Sequence, residues 1–286
     1  GLDWGIEKLD RTNIPARAGQ LNFIIARPGN GKTTVGAVRA KRAAQKIIER
    51  NAQDKECVLV ISLDQAVEEV YAMMTANKDF TVTDLAWGRV PHDKLINRSL
   101  QTVELPIRMI GKSTIRRSRT IFTFDEIFRA IDDIAYTHKI RPSHILLDYI
   151  QVARPSFQHF KSRTEEVAEA VLRAEDMAYK YGASIDICAQ ASRDVDKYAN
   201  KLPTLGDCQH TSAIEQAGYR VWSLWRPILT EPAGSMLALG ENNFEVNSQL
   251  FVMRTLKHKM TEAGHTFVLR LEPDTVSMFD LEVNRG

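Results

Sequence analysis

An α/β fold with a mainly parallel, twisted sheet flanked by helices is predicted for this 286-residue chain by three observations. Short apolar runs alternate with long amphipathic ones, the order of strands and crossover helices. Several short runs are apolar at nearly every position, as strands covered on both faces must be. A glycine-rich stretch joins the first such run to the first long one. Hydrophobic residues make up 44% of the chain, enough for a substantial core, and no linker or fixed-period repeat breaks the pattern. Residues 1–286 therefore read as one domain.

Each element has its own signal. Leu21–Ala26 reads as the first strand, and a helix is expected from Thr33 to about Arg50. Cys57–Ile61 is a second, wholly apolar strand. Thr123 with Glu126 forms a capping box ahead of Ile127, Ala130, Ile131, Ile134 and Ala135, a helical stripe. The third strand, His144–Tyr149, is apolar until it reaches Asp148. A long helix from about Thr164 to Tyr181 stops at Gly182, a natural residue just past a helix end. Strands follow at Ala183–Ala189, Val221–Trp225, Leu250–Leu256 and Thr266–Leu271. Pro227–Asn247, with Pro, Gly and paired Asn, reads as an exposed loop or hairpin. Trp222 and Trp225 fall within a predicted strand and are expected in the core or an interface.

Thirty-eight basic residues against 36 acidic leave a net charge of only +2, so no global field draws the protein to nucleic acid or to a membrane. Any such contact must be local, and Arg116-Arg117-Ser118-Arg119 is the densest basic cluster for a phosphate backbone or acidic partner. No stretch approaches the roughly 20 apolar residues of a membrane span, and a cytoplasmic protein without a membrane partner is expected. Cys57, Cys188 and Cys208 are odd in number and far apart, which suits buried reduced thiols rather than disulfides or a zinc site.

The chemistry begins at Ala26-Arg27-Pro28-Gly29-Asn30-Gly31-Lys32-Thr33-Thr34, a P-loop between the first strand and the first helix. Gly29 and Gly31 let the backbone curl its N–H groups around phosphates, and the helix N-terminus adds its positive dipole end. Lys32 is a point charge for the β- and γ-phosphates, and the Thr33 hydroxyl is a ligand for Mg²⁺. ATP and Mg²⁺ are therefore the expected cofactors. Such a site needs a carboxylate for the metal shell and a second acid to orient the attacking water. Asp148 ends the third strand and suits the first role together with Thr33; Asp64, after the second strand, lies at the same carboxyl edge. Gln190, after the strand Ala183–Ala189, is placed to sense the γ-phosphate. Lys257 and Lys259, in Lys257-His258-Lys259, are candidates for a cationic finger reaching a neighbouring subunit's nucleotide.

Together these residues resemble the RecA-fold motor domain of the DnaB-type replicative helicases, over nearly the whole sequence. Gly5-Ile6-Glu7-Lys8-Leu9-Asp10 resembles that family's lead-in, and Ala26-Arg27-Pro28 its form of the phosphate loop. Ser62-Leu63-Asp64 resembles Ser-Leu-Glu, Asp148-Tyr149-Ile150-Gln151 resembles Asp-Tyr-Leu-Gln, and Gln190-Ala191-Ser192-Arg193 the Ser-Gln-Leu-Asn-Arg block. Ser212-Ala213-Ile214-Glu215-Gln216 resembles Gly-Ala-Ile-Glu-Gln, with Leu224-Trp225-Arg226 for Leu-Tyr-Arg. The resemblance implies a RecA-like P-loop NTPase that binds nucleotide and Mg²⁺ through Lys32, Thr33 and Asp148 and senses the γ-phosphate with Gln190. It further implies a homo-oligomeric ring, usually a hexamer, that threads single-stranded DNA and couples ATP hydrolysis to translocation or unwinding in replication or recombination.

The chain departs from that pattern in three places. Asp64 stands for the family's catalytic Glu, one methylene shorter. Lys257-His258-Lys259 stands for Lys-Gln-Arg, which replaces the planar fork of Arg by Lys. Asp207-Cys208-Gln209-His210 stands for Asp-Leu-Arg-Glu, so a basic DNA-loop residue is missing. A start at Gly1 without Met is what a processed chain or an excised piece would show, and the residues given hold no counterpart of the family's N-terminal domain and linker helix. The departures leave open an alternative, a nucleotide-gated DNA-binding or recombination mediator or loader of RecA fold without unwinding activity.

Overall fold

The computed structural model describes residues 1–91, 93, 105–113, 123–155, 160–208 and 212–281. In chain order the strands are β1 (Leu21–Ala26), β2 (Glu56–Ser62), β3 (Ile107–Gly111), β4 (Arg141–Asp148), β5 (Ser184–Gln190), β6 (Arg220–Trp225), β7 (Met236–Leu239), β8 (Asn242–Glu245), β9 (Leu250–His258), β10 (Thr266–Glu272) and β11 (Ser277–Asp280). The helices are α1 (Glu7–Asp10), α2 (Lys32–Glu49), α3 (Val67–Thr75), α4 (Val82–Ala86), α5 (Phe124–His138), α6 (Arg163–Tyr181) and α7 (Ala213–Ala217). Among the described residues the main sheet has the order β11-β10-β9-β6-β1-β5-β4-β2-β3, and β7 and β8 pair separately. β1 lies between β5 and β6 and is parallel to both, so the chain leaving its carboxyl end emerges between two covered strands. β9, β10 and β11 extend the sheet antiparallel, which makes it mainly rather than wholly parallel.

Alternation along the strands splits the core into two faces. Phe23 and Ile25 point with Leu59, Ile145, Leu147, Ile185 and Ile187 toward α5 and α6, which present Ile127, Ile131, Ala170, Val171, Ala174 and Met177. Val58, Val60, Leu146 and Cys188 meet the alanine-rich side of α2, at Ala37, Ala40, Ala43 and Ala44. Small side chains let that helix lie close to the sheet, and Gly36 sits where an added Cβ would come within 2.7 Å of Leu146 Cδ1. Beyond α2, Trp4, Ile6 and Leu9 close the same face over Ile24, Trp222, Leu224, Phe251 and Met253.

The amino half of the α2 face is polar. Arg39 Nε donates to Asp186 Oδ2 at 2.8 Å, and Asn22 Nδ2 donates to Asp186 Oδ1 at 2.9 Å. The Arg39 guanidinium also lies 4.4 Å from the centroid of Trp4 and 5.6 Å from that of Trp222. Burial opposes ionisation of Asp186, but the Arg39 charge and the hydrogen bonds from Arg39 and Asn22 hold it below the ordinary carboxylate range.

The expected strands are present, with boundaries moved by at most three residues, the largest shift being the start of β4 at Arg141 rather than His144. Tyr149 is outside its strand, and β9 runs on to His258, so Lys257 and His258 lie within a strand rather than after it. The capping box of Thr123 and Glu126 is formed. Trp222 and Trp225 are buried, and the three cysteines are free and buried. Sequence patterning does not find β3, β11 or the short helices α1, α3, α4 and α7. The basic cluster at residues 116–119 lies outside the described residues. Among the described residues no helix is long and apolar enough to cross a membrane.

Two outcomes follow for stability. Burial pushes His144 and His258 from 6.5 down to about 4. Between those values the unfolded chain binds more protons than the folded one. Unfolding free energy is therefore expected to fall as pH drops from about 6.5 toward 4, at up to about 1.4 kcal/mol per pH unit for each histidine, read from urea midpoints at several pH values. Asp186→Ala is expected to cost about 3–5 kcal/mol because it strands Arg39 in the core, whereas Arg39→Met combined with Asp186→Leu costs less than either Arg39→Met or Asp186→Leu alone.

Candidate functional site

The loop that leaves β1 turns sharply before α2 begins. Gly29 and Gly31 have φ of +77° and +84°, a left-handed conformation that suits glycine. Gly31 is also crowded, since a Cβ there would lie 3.2 Å from Leu271 Cδ2. Asn30 fastens the loop from the side: its Oδ1 accepts from Arg226 N–H at 2.8 Å, and its Nδ2 donates to the Pro28 carbonyl at 3.3 Å. The first turn of α2 contains Lys32, Thr33 and Thr34, and this 18-residue helix points its N-terminal N–H groups at the mouth of the loop.

Asp148 ends β4 only 5% exposed, and Thr33 Oγ1 donates to its Oδ2 at 2.7 Å. Burial raises its pKa, opposed by the Thr33 hydrogen bond and the Lys32 charge. Burial likewise lowers Lys32, opposed by the carboxylates of Asp148 and Asp64. Each group is thus poised for a counter-charge brought in from outside, a cation for Asp148 and an anion for Lys32. A half-buried hydroxyl and a buried carboxylate are the hard oxygen donors that Mg²⁺ takes when nucleotide phosphates and water complete its shell. Among the described residues no group of three or more His, Cys, Asp or Glu is placed to hold a metal unaided. The residues present fit a metal that arrives on phosphates.

Asp64 is exposed, two residues beyond β2, at the carboxyl edge where Ser62 pairs with Asp148. Gln190 ends β5 in register with Ala26, the last residue before the loop. Its backbone is held by Gln151, whose Oε1 accepts from Gln190 N–H at 3.1 Å and whose Nε2 donates to the Gln190 carbonyl at 3.2 Å. The structure therefore brings Lys32, Thr33, Thr34, Asp64, Asp148 and Gln190 to one edge.

Arg27 and the two finger candidates are placed differently. Arg27 forms a two-pronged pair with Asp196, Nε to Oδ1 and Nη2 to Oδ2 each at 3.1 Å, and donates to the Ala191 carbonyl at 3.2 Å. It braces the loop against the chain that follows β5. Lys257 and His258 pair with Val221 and Arg220 at the amino end of β6, five residues down the strand from its carboxyl end, or about 17 Å. Lys257 Nζ donates to the Glu215 carbonyl and, at 3.4 Å, to that of Gln216, the last turn of α7; Lys259 is exposed beside Tyr219. Neither lysine is at its own chain's P-loop.

Several site neighbours were not singled out from the sequence. Gln151 and Asp196 act through partners far away in the chain. Arg226 begins just beyond β6, and its Nε is buried with no hydrogen-bond partner among the described residues, close to Gly31. A basic residue at the carboxyl end of a strand is the available signal, and it gains meaning only once β6 is known to adjoin β1. Of the expected DNA-loop block, Asp207 is buried, accepting from Thr204 N–H, Thr204 Oγ1 and Tyr198 Oη at 2.7, 2.6 and 2.6 Å, and Cys208 bridges to Ala191. Gln209 and His210 lie outside the described residues.

The chain matches the DnaB-like helicase C terminal domain over residues 1–262. It is 27% identical over 247 residues to the replicative DNA helicase DnaB of Mycoplasma pneumoniae, covering 85% of this chain and 50% of that protein. The replicative DNA helicase DnaB of Mycoplasma genitalium is 26% identical over 220 residues, covering 76% of this chain and 44% of that protein. The chain thus spans about half the length of the curated relatives it matches. A solved DnaB-like replicative helicase, described with its interactions with primase, has a TM-score of 0.78 at 19% identity and covers 99% of this chain and 64% of that one. A solved structure of an ATPase domain alone has the same TM-score and identity, covering 99% and 92%. These likenesses show the fold, the RecA-like α/β arrangement expected from the sequence. With the match running from ahead of the phosphate loop to just beyond the two lysines at the end of β9, the chain belongs to the DnaB-like helicase C-terminal domain family.

Proposed function

We propose that residues 1–286 form one cytoplasmic motor unit that binds Mg-ATP, assembles with copies of itself into a ring of about six, and couples hydrolysis to movement along single-stranded DNA in replication or recombination. The observation that supports it best is the Thr33–Asp148 hydrogen bond of 2.7 Å beneath a P-loop, in a chain of the DnaB-like family. Gly29, Gly31 and the N-terminus of α2 cradle the phosphates, and Lys32 places its charge on the β- and γ-oxygens. Thr33 and Asp148 would hold Mg²⁺, which supplies charge neutralisation at the transferring phosphoryl group. Asp64 orients the attacking water, and Gln190, whose backbone Gln151 fixes, reads the γ-phosphate. Arg27 keeps the loop in register with the segment after β5. Lys257 and Lys259 serve the nucleotide of an adjoining copy, since both lie at the far edge of the sheet from their own.

A second reading, a nucleotide-gated loader that does not unwind, is favoured by one observation: Lys257 is bonded to the end of α7 and Lys259 lacks the guanidinium fork. Steady-state ATP hydrolysis with and without single-stranded DNA separates the two. Under the motor reading, DNA raises turnover several-fold, and Lys32→Ala abolishes nucleotide binding and lowers turnover at least about 100-fold. Tight, Lys32-dependent binding with slow, DNA-insensitive turnover would favour the loader, and binding unaffected by Lys32→Ala would overturn both. Asp64→Glu, which restores the missing methylene, is expected to raise kcat several-fold with nucleotide affinity unchanged, measured by a fluorescent ATP analogue.

A further inference from the structure

The amino half of the α2 face contains a continuous line of buried polar side chains that crosses the sheet. Arg39, on α2, donates to Asp186 of β5; Asn22 of β1 donates to the same carboxylate. Arg220 of β6 donates through Nη1 to Asn22 Oδ1 at 3.0 Å and through Nε to His258 Nε2 of β9 at 3.1 Å. On the other side of that ring, Met260 N–H and Thr261 N–H reach His258 Nδ1 at 3.1 and 3.0 Å. Arg39, Asp186, Asn22, Arg220 and His258 are all 8% exposed or less. Apolar side chains would have sealed this end of the sheet without the cost of desolvating charges.

The two ends of the line are what give it interest. Arg39 is seven residues beyond Lys32 on one continuous helix, two turns or about 10 Å along it, so the helix that receives the phosphates is the helix that grips Asp186. His258 sits between Lys257 and Lys259. Burial and the Arg220 charge hold its ring neutral. A neutral imidazole accepts at one nitrogen only, so Arg220 and the N–H groups of the 260–261 turn compete for a single lone pair. The ring therefore divides its hold between the strand network and the turn that follows Lys259.

We propose that His258 is a positioning residue for Lys259, and that the line Arg39–Asp186–Asn22–Arg220–His258 makes the placement of that lysine on a second copy's γ-phosphate follow the seating of α2 over a chain's own nucleotide. The inference rests on the finger reading of Lys259 given above. It adds that a chain's occupied site adjusts the cation it offers to the next.

The test uses the full chain and compares kcat for ATP with the affinity for a fluorescent ATP analogue. His258→Phe keeps an aromatic ring against Tyr219, whose centroid is 6.0 Å away, and removes both nitrogens; His258→Gln returns one acceptor. His258→Phe and Asn22→Ala are each expected to lower kcat about tenfold while affinity stays within about twofold, and His258→Gln to recover most of the loss. His258→Phe combined with Lys259→Ala is expected to be no slower than Lys259→Ala alone. Wild-type kcat in His258→Phe or Asn22→Ala, or losses that multiply in the double variant, would overturn the proposal. So would a joint loss of affinity and kcat in His258→Phe that His258→Gln does not repair, the sign of a merely structural role. If Lys259→Ala itself leaves kcat unchanged, the finger reading falls, and the positioning role with it; a damaging Lys259→Ala beside a silent His258→Phe overturns the positioning role alone.

Discussion

The buried ion pair of Arg39 with Asp186 is the constraint on which the rest of the arrangement depends. Neither group has water to turn to, so each must be met by the other, and that requirement fixes both the rotation and the height of α2 over β5. An alanine-lined helix on an apolar sheet could slide or roll at little expense, because small side chains interlock weakly. With Arg39 pinned, the first turn of the helix comes to rest above the end of β4, and Thr33 reaches the Asp148 carboxylate. A polar contact near one end of the sheet thus sets the geometry of the chemistry at the other.

Much of this was legible in the sequence wherever the signal was local. β2, β4 and β5 announce themselves because strands covered on both faces have little choice but to be apolar, and the P-loop because its glycines must take left-handed angles. Asp148 was legible for a related reason: a carboxylate closing a buried apolar run is costly unless a cation or a hydroxyl meets it, and a phosphate loop brings both. Short edge elements were not legible. Ile107–Gly111 has an Arg at its second position and is half-exposed, so its alternation is faint, and α3 follows Ala66, which has no side chain able to cap it. Asp196, which the sequence did not single out, and Gln151 and Arg226, which it placed only within matching blocks and without a role, owe their roles to strand order. β5 and β6 flank β1 although they lie more than 150 residues away in the chain, and nothing local encodes that adjacency.

The antiparallel extension has a similar lesson. A motif of two lysines around a histidine reads as a solvated face or a finger with equal ease. Only the pairing of β9 with β6 reveals that the lysines are delivered to the amino edge while the phosphate loop occupies the carboxyl edge. The same pairing buries His258 beneath them, which turns an apparently idle residue into the anchor of the turn.

The separation of these two edges has a geometric consequence. A binding site at one end of a chain and its complement at the opposite end make a heterologous contact, one that a pair of copies related by a two-fold axis cannot satisfy at both ends. Copies joined head to tail leave one unfilled site and one unused pair of lysines until the series closes on itself. Closure, rather than the strength of any single contact, is then what saturates every site, and a series whose rotation fails to close would grow into an open helical filament.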